Sequence, residues 1–204
     1  MTCEKNRMIE KMHQHFLYLR NPLRISSIEQ KYDSYYYTKI NRLVKEYAGG
    51  TVLAMGTHVG NDVKGLKDVT IVEPVKSFAD EYKNITKATV INQGWENITL
   101  DRKFDTVLCL DCLEHSKEPE KIIKGLTKVS DFILISVPNP VFKMFDKNRK
   151  IDHGHGVHVS FLTADYIKSV FAKLEFSTVS IPIYKIGFIG VGVFVIARRK
   201  IRNG

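Results

Sequence analysis

Acidic residues directly follow two short apolar runs, at the points where buried strands would end. Asp111 and Glu114 come after the run 104–110, and Glu73 comes after the run 69–72. In an open α/β sheet, the carboxyl ends of parallel strands face the ligand crevice. Carboxylates there can accept hydrogen bonds from hydroxyl and amino groups, or offset a positive charge. The spacing therefore predicts a ligand site at one edge of a sheet.

A second group of residues that could take part in catalysis is a set of histidines between glycines, in the segment 152–158. It ends a long segment that begins after the apolar run 132–137. Long loops at the carboxyl edge of a sheet are usually lids or substrate loops. An imidazole near its ordinary pKa can accept a proton at neutral pH, so His153 and His155 are candidate general bases. A plain polar loop ranks second and a metal site third, while His158 has a structural interpretation.

The elements that must position these residues alternate along the chain. Predicted strands are Thr51–Met55, Val69–Val72, Ala88–Ile91, Phe104–Leu110, Phe132–Val137, Phe176–Tyr184 and Phe188–Arg198. Predicted helices between them are Val75–Tyr82, Pro119–Lys128 and Thr163–Leu174, the last capped by Thr163. Such alternation predicts βαβ units and a parallel sheet. The last two strands are joined by a short turn, so they must pair antiparallel.

The N-terminal portion, to about Tyr47, has a helical pattern with a break near Asn21-Pro22. Asp33 or Ser34 could cap a second helix that ends at Gly49-Gly50. No repeat, low-complexity tract or linker divides the chain. We therefore expect a single domain, 1–204, with a helical cover over residues 1–50 and an α/β core over residues 51–204.

The composition is that of an ordinary globular protein with a basic surface. Lys and Arg number 31 against 22 acidic residues, which gives a net charge of +9. This charge is spread along the chain, so a solvated surface is favoured over nucleic acid, lipid or an acidic small molecule as its explanation. Three cysteines, a charged N-terminus and no apolar run of about 20 residues predict a cytoplasmic protein without a membrane segment.

Three motifs resemble those of class I S-adenosylmethionine-dependent methyltransferases. The motifs are Val52-Leu53-Ala54-Met55-Gly56, Thr70-Ile71-Val72-Glu73, and Leu113-Glu114-His115 followed by Pro119. The last is similar to the small-molecule branch of the family, and the resemblance extends over Thr51–Lys200. It implies a seven-stranded, mostly parallel, Rossmann-like sheet with an antiparallel terminal hairpin and an N-terminal helical cover. It also implies methyl transfer from S-adenosylmethionine to an oxygen or nitrogen of a small molecule, with acids and sugars as candidates.

The resemblance assigns roles to individual residues. Glu73 would hold the ribose hydroxyls, Glu96 the adenine amino group, and Asp111 would lie nearest the sulfonium, where it also counts as a catalytic candidate. Trp95 would cover the adenine or anchor the core, with neither favoured. The cofactor-binding set implied in full is Gly56, Thr57, Gly60, Glu73, Pro74, Trp95, Glu96, Asp111, Cys112 and Leu113. Asp111 and Glu114 could instead cap the following helix.

Two features depart from the family pattern. Ala54 stands where an acidic residue is common, and His58 stands at the middle glycine of the loop. These departures favour an alternative function, a non-catalytic relative that binds a partner or nucleic acid through its basic surface. The retained Glu73 and the Leu113-Glu114-His115 motif favour the enzyme, and nucleic acid is not the expected acceptor.

Cys109 and Cys112 form a Cys-x-x-Cys pair, which supplies only two ligands, and Cys109 lies within a predicted buried strand. Core packing is therefore favoured over zinc or redox chemistry, and no metal is predicted. Tyr35-Tyr36-Tyr37 could place an aromatic face near a sulfonium cation or pack on the sheet, and the sequence favours neither.

Overall fold

The computed structural model describes residues 36–55, 61–138, 160, 162–186 and 189–201. Backbone contacts group the chain into two compact units, Met1–Thr38 and Lys39–Gly204. In the first unit, the rings of Tyr36 and Tyr37 meet edge to face, with centroids 5.2 Å apart. Tyr35 lies outside the described residues.

Helix α1 occupies residues 39–47 of the second unit. Its apolar residues Ile40, Leu43 and Val44 are buried, as expected for side chains three and four positions apart on one helical face. The helix stops just before Gly49 and Gly50. Gly50 has a φ of +66°, which glycine adopts without the steric penalty of a side chain, and the chain turns there into the first strand.

Seven strands form one sheet. They are β1 Val52–Met55, β2 Val69–Val72, β3 Thr89–Ile91, β4 Thr106–Leu110, β5 Phe132–Pro138, β6 Phe176–Ile186 and β7 Ile189–Arg199. Their spatial order is β3-β2-β1-β4-β5-β7-β6. The first five are parallel to one another, while β7 pairs antiparallel with both β5 and β6. The predicted Rossmann-like sheet with its antiparallel terminal hairpin is confirmed.

Among the described residues, three further helices connect the strands: α2 Lys76–Ile85, α3 Pro119–Val129 and α4 Ala164–Lys173. Thr163 is the N-cap of α4, as predicted, and its side chain accepts a hydrogen bond of 3.1 Å from the Tyr166 N–H. Helix α2 continues three residues beyond its predicted end. It stops at Thr86, whose N–H and hydroxyl both donate to the Tyr82 carbonyl.

Strands β1, β2 and β4 are buried on both faces, which explains their largely apolar sequences. On one face, α3 and α4 pack through Ile122, Ile123, Leu126, Ile167 and Phe171. Phe171 also contacts Phe176 at the start of β6, with ring centroids 5.4 Å apart. This two-sided packing fixes the strand ends that carry the candidate site.

The predicted last strand, Phe188–Arg198, corresponds to β7, Ile189–Arg199. Among the residues that the structure describes, no helix combines the length and the apolar character needed to cross a bilayer.

Candidate active site

The candidate site lies at the carboxyl edge of the sheet, the edge where the parallel strands β1, β2, β3, β4 and β5 end. Glu73 is the first residue after β2 and is only 3% exposed. Its N–H donates to the Ile91 carbonyl of β3 at 3.0 Å, and its Oε1 accepts from the Val75 N–H at 2.8 Å. Burial raises the pKa of the Glu73 carboxyl above its ordinary value of 4.5, and the Val75 hydrogen bond opposes part of that rise.

A buried carboxylate at a strand end is costly unless it has partners that replace water. Hydrogen-bond donors from a ligand would offset the cost of burying the Glu73 carboxylate. Pro74, next along the chain, is exposed.

The segment after β3 is attached to the end of β2 by two side chains. Asn92 Nδ2 donates to the carbonyls of Glu73 and Pro74, at 2.8 and 3.0 Å. The Trp95 indole N–H donates to the Val72 carbonyl at 3.1 Å, and its ring packs against the core. Trp95 therefore anchors the core, which was one of its two interpretations, and the structure brings it together with Glu73.

Glu96 lies one residue further, in a short 3-10 turn, Trp95–Asn97. It is half-buried, and its Oε1 accepts a hydrogen bond of 2.9 Å from the hydroxyl of Ser116. Ser116 follows the 3-10 turn Leu113–His115, so this bond joins the segments after β3 and β4.

Asp111 is the first residue after β4, and its backbone has a left-handed φ of +47°. Its N–H donates to both the carbonyl and the hydroxyl of Ser136 at 3.1 Å, and the Ser136 hydroxyl donates to Asp111 Oδ1 at 2.8 Å. Ser136 lies in β5 and is fully buried. The half-buried Asp111 side chain is therefore fixed to the neighbouring strand rather than to helix α3.

The N-cap of α3 is Glu118. Neither Asp111 nor Glu114 occupies that position, so the capping interpretation is wrong for both. Ser116 instead binds the backbone just before the helix, because its Oγ accepts a hydrogen bond of 3.0 Å from the Glu118 N–H. Glu114 is buried at 2% exposure within the turn.

Cys109 and Cys112 are both buried, with their sulfur atoms 2.9 Å apart in a thiol–thiol contact. Burial, and then the neighbouring Cys109, raises the pKa of the Cys112 thiol well above its ordinary value. A thiol in this state is a poor nucleophile and a poor metal ligand. Leu113, beside it, is fully buried. Within the described part of the chain, no group of three or more potential metal ligands occurs.

Several predicted site residues lie outside the described residues. They are Gly56, Thr57, His58, Gly60, His153, His155 and His158. Ala54, the other departure from the family pattern, is described and is fully buried within β1.

Three residues of this site were not predicted from the sequence: Asn92, Ser116 and Ser136. Asn92 directly follows the predicted strand Ala88–Ile91, which is the same signal that identified Glu73 and Asp111, while Ser116 stands six residues past the predicted strand end at Leu110. Ser136 is a polar residue within the apolar run Phe132–Val137. Because buried polar groups nearly always have partners, that position itself was a signal.

The strand order and the polar residues at its carboxyl edge define the class: a doubly wound α/β domain with a ligand site of the Rossmann type. A family model described as a methyltransferase domain matches residues 28–181, well over half of the chain. The chain belongs to this family of methyltransferase domains. The predicted family is confirmed, and S-adenosylmethionine is the cofactor of its class.

One similar protein is the ubiquinone biosynthesis O-methyltransferase of Actinobacillus pleuropneumoniae serotype 7 (strain AP76). It is 28% identical over 137 residues, which cover 63% of this chain. The match spans 58% of that relative's own length.

Solved structures share the fold at lower identity. An S-adenosylmethionine-dependent methyltransferase from Thermotoga maritima, described as a possible histamine N-methyltransferase, has a TM-score of 0.66 at 15% identity, covering 87% of this chain and 97% of that one. The magnesium protoporphyrin IX methyltransferase of Synechocystis PCC 6803, with bound S-adenosylhomocysteine, has a TM-score of 0.60 at 18% identity, covering 80% and 83%.

Proposed function

We propose that this protein transfers a methyl group from S-adenosylmethionine to an oxygen or nitrogen atom of a small molecule, with acidic compounds and sugars as candidate acceptors. The observation that carries the proposal is the buried carboxylate of Glu73 at the end of β2. The similar ubiquinone biosynthesis O-methyltransferase supports an oxygen acceptor.

The chemistry of the described residues fits the cofactor. S-adenosylmethionine offers hydrogen-bond donors at its ribose, its adenine amino group and its ammonium, and it carries a positive sulfonium. Glu73, Glu96 and Asp111 are carboxyl residues that follow β2, β3 and β4 at the carboxyl edge; β2 and β3 are neighbours, and β1 lies between β2 and β4. Ionised carboxylates are acceptors only, so they suit such a set of donors.

In this proposal Glu73 accepts hydrogen bonds from the ribose hydroxyls, and Glu96 accepts one from the adenine amino group. Asp111 lies beside the methionine portion, where its charge offsets the sulfonium. Pro74 and Trp95 border these acceptors, while Cys112 and Leu113 are fully buried and support the turn after β4 from beneath. Backbone groups of Gly56, Thr57 and Gly60 complete the cofactor site, an assignment that rests on the sequence motif alone.

When bound, the cofactor supplies a methyl group on a sulfonium that is already a good leaving group. The protein's task is then to align the acceptor atom and to remove its proton. We assign proton removal to His153 or His155, and acceptor binding to the segment 138–158, from their place in the sequence after β5.

Release of S-adenosylhomocysteine in the presence of single acceptors tests the reaction. Phenols, carboxylic acids, sugars and amines are supplied one class at a time with S-adenosylmethionine. We expect acceptor-dependent product with one of these classes. Cofactor binding without turnover in any class would contradict the proposed reaction and favour the non-catalytic alternative.

A further inference from the structure

Ser116 lies at the centre of a hydrogen-bond network on the carboxyl edge and is 2% exposed. Its N–H donates to the Leu113 carbonyl at 3.1 Å, which closes the turn after β4. Its Oγ accepts from the Glu118 N–H at 3.0 Å and donates to Glu96 Oε1 at 2.9 Å. The Ser116 N–H therefore has an acceptor, and its hydroxyl has both a donor and an acceptor.

The direction of the bond to Glu96 follows from these partners. A hydroxyl has one proton, and an ionised carboxylate can only accept, so the proton must point to Glu96. The bond to the Glu118 N–H fixes the other side of the hydroxyl. Ser116 thus holds one oxygen of the Glu96 carboxylate in a set place, and Oε2 of the same group can accept a hydrogen bond from another donor.

Ser116 is itself held from the other side by Ser160. The Ser160 hydroxyl donates to the Ser116 carbonyl at 2.5 Å, and the Ser160 N–H donates to the Glu114 carbonyl at 3.0 Å. Ser160 precedes helix α4, so three segments of the chain meet at this turn. Because the backbone of Ser116 is held by Ser160 and its hydroxyl by Glu118, the residue has little freedom to move when Glu96 binds a ligand.

We propose that Ser116 is a positioning residue for adenine recognition, acting through Glu96. This inference rests on the proposed function, in which Glu96 accepts from the adenine 6-amino group. The bond from Ser116 keeps the carboxylate in one orientation before the cofactor arrives, so less side-chain freedom is lost on binding. Without Ser116, Glu96 can rotate into solvent and must be reordered by the ligand.

The test is a calorimetric titration with two ligands: S-adenosylhomocysteine, and its analogue in which hydrogen replaces the 6-amino group of the purine. For Ser116→Ala we expect roughly 3- to 10-fold weaker binding of S-adenosylhomocysteine, the range for one hydrogen bond. The analogue lacks the amino group, so its affinity should be the same for wild type and Ser116→Ala. Ser116→Thr keeps the hydroxyl and should restore the preference for the amino group.

Ser130→Ala is the matched control. Ser130 is 1% exposed, and its Oγ also accepts from the N–H two residues ahead, that of Phe132. Its proton goes to the Phe132 carbonyl rather than to a carboxylate. This variant should lose stability as Ser116→Ala does, as measured by urea unfolding, while its affinity for both ligands stays unchanged.

Glu96→Ala gives a second route that leaves Ser116 and its bond to Glu118 in place. We expect Glu96→Ala to bind S-adenosylhomocysteine no more tightly than the analogue without the amino group. The double variant Glu96→Ala/Ser116→Ala should bind S-adenosylhomocysteine with the same affinity as Glu96→Ala alone. An equal loss of affinity for both ligands in Ser116→Ala, or additive losses in the double variant, would overturn the positioning role while leaving the cofactor site intact. Failure of the wild-type protein to bind S-adenosylhomocysteine would overturn the proposed function and this inference together.

Discussion

Asp111 and Ser136 are joined by backbone and side chain at once. The N–H of Asp111 is shared between the carbonyl and the hydroxyl of Ser136, and that hydroxyl returns its proton to Asp111 Oδ1 at 2.8 Å. The pairing holds Asp111 at a φ of +47°, a region that costs a residue with a side chain about 1–2 kcal/mol. The strain is tolerated at the residue proposed to lie beside the sulfonium, as is common at functional sites.

This strain predicts that glycine is more stable than alanine at position 111, the reverse of the usual order at positions with negative φ. Asp111→Ala and Asp111→Gly both remove the carboxylate, but only alanine keeps the Cβ that opposes a positive φ. We expect Asp111→Ala to be less stable than Asp111→Gly by about 1 kcal/mol, as measured by urea unfolding.

The same pair of substitutions at Asp101 is the control. Asp101 is exposed and has no positive φ, so glycine should bring no gain there. An alanine variant at position 111 as stable as the glycine variant would show that the backbone is not strained.

The raised pKa of Glu73 predicts how stability changes with pH. Burial is the main cause of the rise, so in the window above its ordinary value of 4.5 the folded state holds a proton that the unfolded state has released. The free energy of unfolding should therefore fall as pH rises through this window. Glu73→Gln keeps an acceptor for the Val75 N–H and has no charge to bury. Its stability relative to wild type should increase from acidic to neutral pH and then level off.

Asp105 provides a control of opposite sign. Hydrogen bonds from the N–H and then the hydroxyl of Thr51 lower the pKa of its carboxyl below the ordinary value of 3.8. Its contribution is present above that value and is lost as pH falls through the lowered pKa. Asp105→Asn should therefore be less stable than wild type at neutral pH, with a difference that shrinks in acid. A Glu73→Gln curve parallel to wild type would mean that Glu73 has an ordinary pKa.

Gly50 supplies a prediction about the start of the sheet. Its φ is +66°, and there is no room for a side chain, because a Cβ at this position would overlap the Asp105 carboxylate. Gly50→Ala should lower the free energy of unfolding by roughly 2–5 kcal/mol, the sum of backbone strain and overpacking. Gly49→Ala is the neighbouring control, since a Cβ at position 49 meets nothing within 4 Å. Equal stability of the two variants would contradict the geometry of this turn.

The proposed base predicts a specific loss of rate. His153→Ala and His155→Ala are each made, because the sequence does not separate their roles. The variant that lacks the base should turn over about 10²–10⁴ times more slowly, and the wild-type rate should fall below the imidazole pKa. Affinity for S-adenosylhomocysteine, measured by calorimetry, should stay close to wild type in both. Normal turnover in both variants would place proton removal elsewhere or leave alignment alone to account for the rate.

The fold could be predicted from the sequence because its signals are local. Each strand is a short run of apolar residues, and Thr163 caps its helix through a residue only three positions away. Glu73 and Asp111 were found for the same reason, since each directly follows such a run.

The bonds between Asp111 and Ser136 and between Glu96 and Ser116 could not be predicted in the same way. The partners are 25 and 20 residues apart. Asp111 and Ser136 meet because β4 and β5 become neighbours in a particular register, whereas Glu96 and Ser116 follow β3 and β4, which have β2 and β1 between them. The sequence pattern fixes neither the register nor the left-handed backbone of Asp111. The polar Ser136 within an apolar run indicated a buried partner, but it did not say which one.

Calorimetric titration with S-adenosylhomocysteine measures whether Glu73 holds the cofactor. Wild type, Glu73→Ala and the control Glu81→Ala, an exposed glutamate on α2, are compared after urea unfolding has shown that each is folded. We predict that wild type and Glu81→Ala bind alike and that Glu73→Ala binds more weakly by about 1.5–3 kcal/mol, the range for a hydrogen bond to a charged group. Unchanged affinity in a folded Glu73→Ala variant, or no binding by wild type, would contradict the account.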